Sequence, residues 1–110
     1  MDGLELISFN IISAVGTAKS MVMESMEKSR AGKFDESLDL IKQANEFLVT
    51  GEKEHFKVIT QQAKDKNVEI DILFMHAEDQ LMSTVTLRDM ANELLEMNKM
   101  IYYLREKIGE

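Results

Sequence analysis

The chain has 110 residues, a net charge of −7, nine Met, five Gly and neither Cys nor Pro. That length fits one domain with a modest core, and the missing cysteines exclude a disulfide framework, a thiolate zinc site and a cysteine nucleophile. Its Lys and Arg residues are scattered without interleaved aromatics, and the acidic balance would repel a phosphate backbone, so nucleic acid is excluded as a partner.

A reducing, cytoplasmic setting is the simplest reading. Residues 1 to 20 carry acids at Asp2 and Glu5 and no base before Lys19, and no run of about 18 consecutive apolar residues occurs, so neither a signal peptide nor membrane insertion is expected. Without proline there are few places where a helix must break, and an all-α fold follows. Leu4, Ile7, Ile11, Val15, Ala18, Val22 and Met26 recur three and four apart, predicting a first helix from roughly Asp2 to Ala31. Gly16 inside it costs about 1 kcal/mol of helix propensity and is expected to mark a close helix crossing. Gly32 is the stop signal, after the basic turn Lys28 to Arg30.

A second helix, from about Lys33 to Asp65, carries Phe34, Leu38, Ile41, Leu48, Phe56, Ile59 and Ala63 on its stripe. Thr50-Gly51 is where it would kink. The apolar-free segment Lys64 to Asn67 is the expected connection, and Asp71 is the expected N-cap of a third helix running to about Lys107. Two stripes run along that helix. Leu73, His76, Gln80, Ser83, Leu87, Met90, Leu94, Met97, Ile101 and Leu104 form the expected core stripe. Ile72, Met75, Asp79, Met82 and Thr86 form a second, rotated by about 100°. Two neighbouring helices cannot cover both, so an antiparallel three-helix bundle, up-down-up, is expected to assemble through the second stripe. The nine Met residues occupy regular apolar positions and read as flexible core filling.

Candidate chemistry narrows by elimination. No Gly-rich phosphate loop, HExxH or Ser/His/Asp signature occurs. A di-iron bundle draws a Glu-x-x-His pair from each of two helices, which this chain does not offer. An imidazole in water is mostly neutral at pH 7 and is then a good nucleophile toward phosphorus, which singles out His76 in its polar company. His55 is expected to be structural and Glu78 solvated. Asp79, on an otherwise apolar stripe, must be exposed, protonated, paired or metal-bound, because an isolated buried carboxylate costs several kcal/mol or more. Symmetry would gather one Asp79 per protomer at an axis, where a hard cation would neutralise them.

The run Met75-His76-Ala77-Glu78-Asp79-Gln80-Leu81-Met82 resembles the motif M/V-H-A-Q-D-H-L-M of the lactose/cellobiose-type IIA components of the bacterial sugar phosphotransferase system. Ile11 to Ser20 is similar to that family's I-I-x-x-x-G-x-A-R/K-S, and Ala31-Gly32-Lys33-Phe34 to its A/N-G-D-F turn. The resemblance implies one IIA-type domain over 1–110 and a homotrimer of three-helix subunits. It implies His76 as acceptor of a phosphoryl group from HPr, a IIB cysteine as the next acceptor, and Asp79 as ligand of one divalent cation per trimer, Mg2+ or another hard cation. Uptake of a disaccharide such as cellobiose, chitobiose or lactose would follow. Glu78 stands where the family has Gln, Gln80 where many members have a second His, and Lys33 where the turn has Asp, which should weaken helix capping. The alternative function is a non-catalytic helical assembly or regulatory binding protein. The two readings differ in whether His76 must present an accessible ring nitrogen.

Overall fold

The computed structural model describes residues 3–65 and 69–109, so the connection expected at Lys64 to Asn67 lies partly outside the described residues. Three helices account for nearly all of it: α1 (Gly3–Arg30), α2 (Phe34–Lys64) and α3 (Ile72–Lys107), with no strand among the described residues. They form a rod of 64 × 22 × 19 Å. The boundaries follow from local chemistry. Gly32 has φ of +81° and ends the α1 turn, a conformation in which a side chain is strained. A Cβ there would also come within 2.8 Å of the Tyr102 ring. Asp71 caps α3, its side chain accepting from the Phe74 amide at 2.8 Å. Lys33, at the N-cap of α2, makes no side-chain capping bond.

The up-down-up order is fixed by pairs along the rod. The Asn10 amide donates to Glu54 at 3.4 Å and the Ser37 hydroxyl to the Ser25 carbonyl at 2.8 Å, setting α1 and α2 antiparallel. Asn98 donates to the Ser29 hydroxyl and the Tyr102 hydroxyl to the Arg30 carbonyl, each at 2.9 Å, setting α3 parallel to α1. Phe34 meets Tyr102 edge-on, centroids 5.4 Å apart, and closes that end.

α1 behaves as its stripe predicts, with Ile11, Val15, Ala18 and Val22 fully buried. By length and composition it is apolar enough to cross a membrane, which counting consecutive apolar residues did not reveal, but its apolar face supplies the bundle core. Two glycines exchange their expected roles. Gly16 is exposed and meets no neighbouring atom within 4 Å, so it marks no crossing within the chain. Gly51 does not break α2. It is buried where α2 touches both other helices, a Cβ there lying 3.2 Å from Val15 and from Leu81.

The core face of α3 also differs from the expectation. Phe74, Ala77, Leu81, Thr84, Ala91 and Leu95 are buried, whereas His76, Ser83, Met90, Leu94, Met97, Ile101 and Leu104 of the expected core stripe are exposed. The true face is rotated by one residue. Small residues at 77, 84 and 91, one per two turns, let α3 approach α1 closely, and the large ones reach outward. In the same way Val58 is buried on α2 while Phe56 and Ile59 are exposed.

Candidate functional site

Asp71 starts α3 on an unstrained cap, and Phe74 and Ala77 anchor its first turns in the core. His76 therefore has to point away from the core. It is exposed and makes no hydrogen bond or ion pair among the described residues. An imidazole free at both nitrogens can present a lone pair to an incoming electrophile. Gln80, one turn on, is half-buried, so it stays on the flank that His76 occupies.

Asp79 faces the same solvent from the second stripe. Ile72 and Met82 beside it are 83 % and 67 % exposed, and Asp79 has no partner among the described residues. No three His, Cys, Asp or Glu side chains come together to hold a metal within one chain, among the described residues. An ion at Asp79 would therefore need ligands from further copies.

Glu78 is not the solvated residue expected from its spacing. Its carboxylate pairs with His55 Nδ1, joining α3 to α2, and the two side chains are only 19 % and 34 % exposed. The pair lies in a groove between α2 and α3 lined by Glu52, Leu81, Met82, Val85 and Thr86. Farther down, Arg88 donates to the Asn45 side chain at 3.1 Å across the same two helices. His55 joins α2 to α3, and its partner escapes a local reading because it lies 23 positions away.

Fold and site together define an all-helical interaction subunit built around one solvent-facing imidazole. The chain belongs to the family described as PTS system, Lactose/Cellobiose specific IIA subunit, which matches residues 6–99. It is thus a sugar-specific IIA component of the phosphotransferase system. It is 30 % identical over 98 residues to the lactose-specific EIIA component of Staphylococcus epidermidis, covering 89 % of this chain and 94 % of that one. It is 35 % identical over 95 residues to the oligo-beta-mannoside-specific EIIA component of Bacillus subtilis, covering 86 % of each. A crystal structure of the cellobiose-specific enzyme IIA from Bacillus anthracis superposes with a TM-score of 0.89 at 28 % identity, covering 94 % of both chains.

Proposed function

We propose that the protein is a cytoplasmic phosphohistidine carrier, a single IIA-type domain working as a homotrimer, with His76 as the phosphoryl acceptor. The observation that carries this reading is the free, solvent-facing imidazole of His76 at the family's motif position. A ring nitrogen of His76 attacks the phosphorus of phospho-HPr, and the bond from phosphorus to HPr breaks as the new N–P bond forms. A IIB cysteine sulfur then attacks the same phosphorus, the N–P bond to His76 breaks and a P–S bond forms. The chain supplies position and little else, since transfer between carriers needs an aligned nucleophile and no base to activate water. Its acidic surface suits a basic donor face. The relatives bear the names of different sugars, and a IIA subunit handles the phosphoryl group and not the carbohydrate, so a disaccharide such as cellobiose, chitobiose or lactose is the proposed cargo of the pathway and this chain does not select among them.

Assembly is argued from surface. The chain exposes 7357 Å2, against about 6,200 Å2 for a typical folded monomer of 12.6 kDa. Both apolar stripes of α3 contribute to that excess. Placing Ile72, Met75, Met82 and Met97 against copies of themselves removes a strip of exposed apolar side chains. Threefold symmetry then gathers the three Asp79 carboxylates. They fit one hard divalent cation such as Mg2+, being unpaired oxygen donors on an apolar strip. When bound, the ion supplies charge neutralisation.

Incubation with phosphorylated HPr tests the reading. An acid-labile, base-stable adduct is expected on the parent protein, lost in His76→Ala and still formed on His76 in His55→Ala. No adduct on the parent, or one that survives His76→Ala, leaves a non-catalytic assembly as the function. Light scattering at micromolar concentration should give the mass of a trimer, and a monomer mass removes the symmetry argument.

A further inference from the structure

His76 and Glu78 are two residues apart, hence about 200° apart around α3 and roughly 3 Å apart along it. The outward stripe of Ile72, Met75, Asp79, Met82 and Thr86 runs between them, so they occupy opposite flanks of the surface that the proposed trimer buries. In a ring of three parallel helices meeting along such a stripe, one flank of each helix faces the opposite flank of the next. Glu78 is thereby brought beside His76 of the partner subunit, at nearly the same height. The groove that holds Glu78 is open for such a neighbour. α2 and α3 pack more lightly on each other than either does on α1, and Val49, Phe56 and Ile59 of α2 stand exposed.

A bare carboxylate at that place would oppose a phosphoryl group. The structure ties it down, because Glu78 is paired with His55 and turned into the α2/α3 groove. We propose that His55 is a positioning residue of the phosphoryl site, acting in trans through Glu78. By holding the Glu78 carboxylate in the α2/α3 groove, His55 lets His76 of the partner subunit carry a phosphoryl group. Glu52 rims the same groove and adds negative charge, which makes a fixed position for the Glu78 carboxylate more necessary. The role extends the carrier reading above and rests on it.

The test is the fraction of His76 phosphorylated at a fixed ratio of phospho-HPr to HPr. His55→Ala should shift that equilibrium toward phospho-HPr by on the order of tenfold, and adding Glu78→Gln to it should restore the parent level. A merely structural role for the pair would lower the thermal midpoint of His55→Ala together with its occupancy, whereas a positioning role lowers occupancy at an unchanged midpoint. Mixed trimers then separate trans from cis. His55→Ala protomers, diluted into excess His76→Ala protomers whose His55 is intact, should regain occupancy on their own His76. An unchanged equilibrium in His55→Ala, failure of Glu78→Gln to rescue it, or no gain in mixed trimers verified by mass spectrometry overturns the proposal. If the parent protein accepts no phosphoryl group, the carrier reading fails, and this role with it. If the parent is phosphorylated and His55→Ala behaves like it, only the role of His55 fails.

Discussion

The two glycines whose roles are exchanged give a prediction with a calculable sign. Gly16→Ala replaces a residue that meets nothing within 4 Å, so the gain is the helix propensity difference of about 1 kcal/mol. Gly51→Val places its Cβ 3.2 Å from Val15 and from Leu81 and adds two methyls beyond it. Both neighbours are buried, at 1 % and 4 % exposure, so neither can retreat into solvent. Overpacking of this kind costs about 1–3 kcal/mol, and the propensity gain of Val over Gly offsets only about 0.3 kcal/mol. A net loss of about 2 kcal/mol is expected. Thermal unfolding at one fixed protein concentration, because the proposed assembly would make the midpoint concentration-dependent, should show Gly16→Ala higher by roughly 4 °C and Gly51→Val lower by roughly 8 °C. If Gly51→Val melts with the parent, the close approach of the three helices at this level is wrong. If Gly16→Ala is destabilising, another chain crosses α1 there.

Removing the cap in Asp71→Ala should cost about 1 kcal/mol and raise amide exchange at Phe74, while a uniform loss of protection along α3 would argue against a capping role. Thr84 buries its hydroxyl without a partner among the described residues, so Thr84→Val should stabilise by about 1 kcal/mol in urea unfolding. A loss of stability there would mean the hydroxyl has a partner. If the proposed trimer forms, Asp79→Leu should give metal-free trimers at least as stable as the parent, since an apolar side chain would replace three gathered charges. Unchanged metal content and stability in that variant would remove the axial site.

Helix boundaries were legible because they rest on local chemistry. Gly32 needs a positive φ and Asp71 needs only the amides of the next turn, and neither depends on where other helices lie. The core face of α3 was not legible, for a reason that lies in side-chain size. Reading the large residues Met90, Leu94, Met97 and Ile101 as core assumes that bulk goes inward. In this thin bundle the buried face of α3 includes the small residues Ala77, Thr84 and Ala91, which leave room for a neighbouring backbone. The large residues are then free to serve contacts between chains. The regular spacing therefore marks a real apolar stripe, but one that lies outside the core of the single chain.

The same distinction governs the site. The motif singled out His76 as a candidate, but its exposure was not legible from a spacing that put it on the expected core stripe; it follows from Phe74 and Ala77 being inside. The His55–Glu78 pair depends on the register of α2 against α3, and one observation would have supplied it. Asn45 with Arg88, Gly51 with Leu81, and His55 with Glu78 follow a single antiparallel register. Recognising Gly51 as the point of closest approach, and not as a kink, places His55 one turn farther along α2 opposite Glu78 one turn earlier on α3. A glycine in the middle of an unbroken helix is thus the signal that locates the partner of Glu78 on α2, and through it the groove that an adjoining protomer would have to fill.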